Sequence, residues 1–256
     1  MSGHTKPKMK RMRIYFDGCA KTGGYSRTDR IDRRYPKLLC EKLGAEEYNL
    51  AQRNGSNKRI VRNLLDHDLS QYDLFVIQMT KKNRFEYFDK NKKIWISVGH
   101  QVRKLPQKIS GLSKPIHTDF VTFRRENEKY ISLHTKWRGD IISLNDVPSS
   151  QRPHKEEYKF NNVSDDRRSI IEYYLHYYRY IYSEEQGRVE EQMCFSTIKT
   201  ILKNHKHIII YMHSDKEVNV PVDLIYKKGK DYVHGWYMGA DIHKIIMNDI
   251  LKLLKK

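Results

Sequence analysis

The chain is poor in cysteine, in long apolar runs and in acid. Its three cysteines, Cys19, Cys40 and Cys194, stand at unrelated spacings, which argues against a disulfide framework or a thiolate zinc site. No apolar run approaches the roughly 20 residues of a membrane-spanning helix. Residues 1–13 are polar and basic without an apolar core. No secretory signal is therefore expected, and a cytoplasmic or virion-associated protein is. Neither a dinucleotide-binding glycine fingerprint nor a phosphate loop occurs, and His100, His117, His134, His205, His207 and His213 lack metal-ligand spacing. No metal and no cofactor are expected. Acidic residues number 31 against 49 lysines and arginines, a net charge of +18. Such an excess speaks of attraction to polyanions, nucleic acid or anionic glycan, and leaves the fold open. The basic clusters run Lys8 to Arg13, Arg27 to Arg34, Lys81 to Arg84 and Arg103 to Lys114.

What remains is strongly patterned. Only 38% of the 256 residues are hydrophobic, yet they gather into periodic segments, which argues against disorder. The run Met12 to Phe16 reads as a first strand ending in Asp17-Gly18-Cys19-Ala20-Lys21-Thr22-Gly23-Gly24. Tyr35 to Leu43 reads as a helix, with Pro36 in its first turn and Gly44 just past its end. Glu47 to Ala51 is a short strand and Lys58 to Leu65 a helix with one apolar face. Tyr72 to Met79 is an unbroken apolar run, as expected of a parallel strand buried on both faces. This alternation predicts a doubly wound α/β sheet. Residues 89–159 break the pattern with strand-like Ile94 to Val98 and a hairpin joining Phe120–Arg125 to Tyr130–His134, a β-rich insertion or cap. A helix capped by Ser164 to Asp166 then runs to Ile181, its tyrosines half-buried core or a stacking platform. A helix over Val189–Asn204, a strand over His207–Met212 and a helix over Gly239–Leu254 close the chain. One domain over 1–256 is expected, with core 11–88 and 160–256 and a flexible basic arm over 1–10.

Four segments converge at the carboxyl edge of such a sheet: the loop after the first strand, Asn54 to Asn57, Gln78 to Thr80, and Asp231-x-x-His234. An Asp three residues before a His can orient the imidazole and leave its other nitrogen as a general base. Asn57, Thr80 and loop N–H groups are candidates to stabilise an oxyanion. Arg84-Phe85-Glu86 reads as an ion pair at the rim.

These blocks resemble the SGNH (GDSL-type) hydrolase superfamily, in particular its viral and phage-like branch. Gly18-Cys19-Ala20-Lys21-Thr22-x-Gly24 lies on the first block, Asn49 through Asn57 on the second, Val76 to Thr80 with Arg84 to Glu86 on the third, and Asp231-x-x-His234 with Gly239 on the last. The resemblance implies a flavodoxin-like three-layer α/β/α sandwich and an ester-bearing or glycan substrate. It also implies that Asp231 and His234 form a catalytic pair and that Gly18, Gly55, Asn57 and Thr80 surround an oxyanion. The nucleophile position falls on Ala20, which has no attacking atom; a shifted register would offer Cys19 instead. The family's second-block glycine falls on Asn54. Three alternatives stand: a hydrolase scaffold that lost its nucleophile, naturally or by engineering; a pseudoenzyme that kept the pocket for binding; or His234 activating an acceptor directly. A non-catalytic polyanion binder on the same fold is the rival class.

Overall fold

The computed structural model describes residues 10–24, 31–52, 54–90, 93–104, 117–125, 132–138, 173–174, 176–212, 218, 220–226 and 240–255. Two compact units emerge. The first holds residues 1–53, 60–80 and 194–256, and the second residues 54–59 and 81–193.

The first unit is built on a parallel sheet. Its strands are β1 (Arg13–Asp17), β2 (Glu46–Asn49), β3 (Leu74–Met79), β8 (His207–Tyr211) and β9 (Leu224–Ile225), in spatial order β2-β1-β3-β8-β9. The helices are α1 (Ala20–Gly23), α2 (Tyr35–Leu43), α3 (Asn57–Asp66), α4 (Glu184–Ile201) and α5 (Ala240–Leu254). Residues 57–59 of α3 and 184–193 of α4 fall in the second unit. Because side chains alternate along a strand, each sheet face carries its own core. Ile14, Phe16, Leu74, Val76, Ile208 and Ile210 pack with Leu39 of α2 and Ile242, Ile246 and Ile250 of α5. On the other face Tyr15, Phe75, Ile77, Ile209 and Tyr211 pack with Ile60 and Leu64 of α3 and Phe195 and Ile198 of α4. Helices on both faces of a parallel sheet make the α/β/α sandwich, and the order 2-1-3 onward is flavodoxin-like.

Gly44 ends α2 at φ 63°, its N–H bonded to the carbonyls of Cys40 and Glu41. Arg34, expected on a solvated charged loop, instead caps the start of α2 and pairs with Glu47 at 2.7 Å, with only 14% and 12% of the two side chains exposed. Helix α4 starts five residues earlier than the periodicity indicates, because Ser183 Oγ accepts the Gln186 N–H.

The second unit carries an antiparallel sheet of β4 (Arg84–Asp89), β5 (Ile94–Lys104), β6 (His117–Arg125) and β7 (Ser132–Arg138), paired in chain order. The expected hairpin is present as β6 and β7, and β4 is a strand that the sequence pattern does not mark. Its small core joins Phe85, Val98 and Tyr178 with Tyr87, Tyr174, Tyr177 and Tyr182. The tyrosine-rich segment divides in two: Tyr174, Tyr177, Tyr178 and Tyr182 pack inward around a π-helical turn at Tyr177–Ile181, while Tyr173 and Tyr180 are exposed. Burial pushes the Tyr174 and Tyr178 phenols up from their ordinary value. Among the described residues no helix is long and apolar enough to cross a membrane.

Candidate functional site

In an open α/β sheet the crevice lies outside the carboxyl ends of the strands, where the strand order reverses. Here the chain runs from β1 to β2 on one side, then returns to place β3 on the other. The segment following β1 and the end of β3 therefore flank the switch point, and both carry candidate residues.

Strand β1 ends in Asp17, which is fully buried. One of its carboxyl oxygens accepts the Gly18 N–H at 2.7 Å, and the other accepts the Asn63 amide at 2.7 Å and the Tyr15 hydroxyl at 3.4 Å. Gly18 follows at φ 154°, where a Cβ would stand 2.7 Å from Gln78 Cβ. Only glycine fits, both by conformation and by space. Its N–H donates to the Asp17 carboxylate. Cys19 caps the single turn of α1, which accepts the Thr22 and Gly23 N–H groups at its carbonyl and closes on Gly24 at φ 69°. The tight loop expected after the first strand is thus one helical turn. Ala20 is its first residue, half-buried, with an N–H that an opening turn cannot satisfy internally.

Gln78, buried in β3, holds this turn. Its Oε1 accepts the Cys19 N–H at 3.3 Å and the Thr22 hydroxyl at 2.6 Å, and its Nε2 lies 3.1 Å from Cys19 Sγ. The Thr22 hydroxyl also meets the Tyr35 hydroxyl at 2.9 Å. The single Thr22 hydroxyl proton goes to Gln78, so the Tyr35 hydroxyl donates to Thr22, and burial raises the Tyr35 phenol. The Tyr35 N–H in turn donates to Nδ1 of the buried His243 at 3.2 Å. Cys19 is 2% exposed and its thiol faces the Gln78 amide. The Lys21 ammonium donates to the Met212 carbonyl just past β8. Thr80, one residue past β3, is fully buried.

The structure thus brings Gly18, Cys19, Ala20 and Thr80 to the ends of β1 and β3. Gly55 and Asn57 belong to the second unit and are described there. Asn54 adopts φ 63°, the left-handed conformation a glycine takes readily and Asn best tolerates. The Gly55 carbonyl accepts Arg84 Nη1 at 3.3 Å, Ser56 Oγ caps α3 through the Arg59 N–H at 3.0 Å, and Asn57 is buried. Arg84, expected in a rim ion pair, thus opens β4 and braces Gly55, while Phe85 enters the aromatic core. Asp231 and His234 lie outside the described residues. Asp17 was not singled out by sequence reasoning, and Thr22 entered only as a position of the first block. The available signal for Asp17 is an acid closing an apolar strand.

Beside the turn, a groove of about 560 Å³ is lined by Arg11, Arg34, Lys37, Glu46, Glu47 and Asn49. Asn49 Nδ2 donates to the Thr22 carbonyl at 3.3 Å and to Glu47 at 2.9 Å.

No family model and no curated protein matches the sequence. Among solved structures the chain is similar to a carbohydrate esterase whose active site displays divergent catalytic and non-catalytic binding functions. That match has 12% identity and a TM-score of 0.45, over 96% of this chain and 70% of the other. It is also similar to a protein assigned to the lipolytic G-D-S-L family of Desulfitobacterium hafniense DCB-2, at 14% identity and a TM-score of 0.25. This second match spans 28% of this chain and 40% of the other.

Proposed function

We propose that the chain is an SGNH-type ester hydrolase scaffold of the viral and phage-like branch, directed at acyl esters such as glycan O-acetyl groups. In this reading Ala20 occupies the nucleophile position, so the protein as it stands binds its ester but does not cleave it. The observation that carries it is Ala20 itself: the first residue of a one-turn helix at the end of β1, beside the switch point, part-exposed between the buried Cys19 and the buried Thr22 and Gly23. A hydroxyl at that position would start next to its own backbone N–H, a natural first donor for the oxyanion that its attack creates. Thr80, just past β3 in the same unit, is the further donor of this reading. His234, oriented by Asp231, is the base that would accept the hydroxyl proton and return it to the leaving alcohol. Cys19 is the weaker nucleophile candidate because its thiol is buried against Gln78.

The test is gain of function. Ala20→Ser is expected to hydrolyse small acyl esters and to form a covalent adduct with an esterase probe at residue 20, and His234→Ala is expected to remove both. An Ala20→Ser protein that is inert and takes no probe overturns the reading. The net charge of +18 favours a second one, a non-catalytic binder of polyanionic glycan or nucleic acid. Affinity falling steeply with salt, and indifferent to Asp231 and His234, would select it.

A further inference from the structure

The α1 turn is held from the β3 side by Gln78. A second support reaches it from the β2 side, through residues that line the neighbouring groove. Glu47 of β2 directs one oxygen, Oε1, at three donors: Arg34 Nε at 3.1 Å, Arg34 Nη2 at 2.7 Å and Asn49 Nδ2 at 2.9 Å. The same Asn49 amide donates to the Thr22 carbonyl at 3.3 Å, inside the α1 turn. Asn49 is itself fixed at its other end, because its Oδ1 accepts the Ala51 N–H at 3.0 Å. The Arg34 stem lies under Gly24, where an added Cβ would stand 3.1 Å from Arg34 Cδ. Arg34 thus touches the end of the turn by packing and reaches its middle through Glu47 and Asn49.

We infer that Arg34, Glu47 and Asn49 form a positioning relay that sets the orientation of the α1 turn, and with it position 20. The three act as positioning residues, since they touch the turn and no reacting atom. A charge-assisted pair shielded from water holds its geometry better than an exposed one, because solvent screening is reduced. A turn of four residues has too few internal bonds to hold itself. The catalytic consequence rests on the esterase reading of position 20; the structural consequence does not.

Two variants separate these. Asn49→Asp keeps the acceptor for the Ala51 N–H, removes the donor to Thr22 and Glu47, and sets a second carboxylate against Glu47. Glu47→Ala removes the shared acceptor and serves where the first variant folds poorly. Hydrogen exchange on the full chain, otherwise unaltered, is read at the Thr22 and Gly23 amides, with the Phe75 and Tyr226 amides as controls. Exchange at the two turn amides is expected to accelerate about tenfold, the scale of one lost hydrogen bond, with the controls unchanged. Unchanged turn exchange overturns the relay. In an Ala20→Ser background the same variants should lower kcat about tenfold while KM stays within about twofold, because misplaced reactants lose rate rather than affinity. A kcat equal to that of Ala20→Ser alone also overturns it. Should Ala20→Ser itself be inert, the esterase reading fails, and hydrogen exchange alone decides the relay.

Discussion

Both regions of the chain bury tyrosine, but they give the hydroxyl different work. In the parallel-sheet unit the Tyr35 hydroxyl donates to Thr22, whose own hydroxyl donates to Gln78, so the phenol ends in a polar network under the α1 turn. In the antiparallel unit the Tyr178 hydroxyl donates to the Asn83 carbonyl at 2.9 Å, and its ring packs on Phe85 with Tyr174, Tyr177 and Tyr182 alongside. The buried polar residues Asp17, Thr22, Gln78 and Thr80 gather at the strand ends of the first unit. Burying such groups is costly unless every one is bonded, so a site with this many is held in one geometry. The second unit fills its core with rings anchored at their rims, a looser constraint that tolerates change.

That contrast can be broken most sharply at Gly18. Gly18→Ala drives a Cβ into Gln78 Cβ at 2.7 Å on a backbone at φ 154°. A destabilisation on the order of 4 kcal/mol is expected from the strain and overpacking together, read by denaturant unfolding. Next comes Asp17→Ala, which leaves the Asn63 amide and the Gly18 N–H facing an empty acceptor position. A loss of about 3 kcal/mol follows, since the more distant Tyr15 hydroxyl loses this acceptor as well. Smaller effects compare the two tyrosines directly. Tyr178→Phe and Tyr35→Phe should each cost about 1 kcal/mol for one lost hydrogen bond. Only Tyr35→Phe should also loosen the α1 turn, measured as faster exchange at Thr22; equal effects at that amide would erase the contrast.

The smallest effect is a pH dependence. Burial pushes the Cys40 thiol up from 9.0 to about 12. The unfolded chain ionises this thiol above about pH 9 and the folded chain cannot, so the contribution to stability is fully present below pH 9 and lost as pH rises towards 12. Unfolding measured across that range should show a decline of at most about 1 kcal/mol per pH unit from this group, flattened by Cys40→Ala.

Much of the first unit is legible in the sequence. An unbroken apolar run marks β3 because both faces of a central parallel strand are covered. Pro36 and Gly44 bracket α2, and the spacing of Ile242, Ile246 and Ile250 marks the inward stripe of α5. Helix α4 shows where local signals compete. Ser183 and Gln186 form a capping pair at its start, but Gly187, a poor helix former, masks it. That glycine is kept because a Cβ there would collide with the Tyr182 hydroxyl. Strand β4 was obscured by its charges, although Phe85 and Tyr87 alternate as a half-buried strand requires. At the site, Gly18, Ala20 and Thr80 could be aligned by block order, whereas the pairing of Arg34, Glu47 and Asn49 joins side chains from separate elements and leaves no periodic trace. Gln78 looks like one polar residue inside an apolar run, and only the fold reveals that it braces the turn.

The most direct measurement is made on Ala20→Ser. Acyl-ester hydrolysis by that variant, with a probe adduct at residue 20 and loss of both on His234→Ala, is the expected result. An Ala20→Ser protein that folds as the parent does, yet neither turns over ester nor takes the probe, would contradict a hydrolase scaffold at the end of β1.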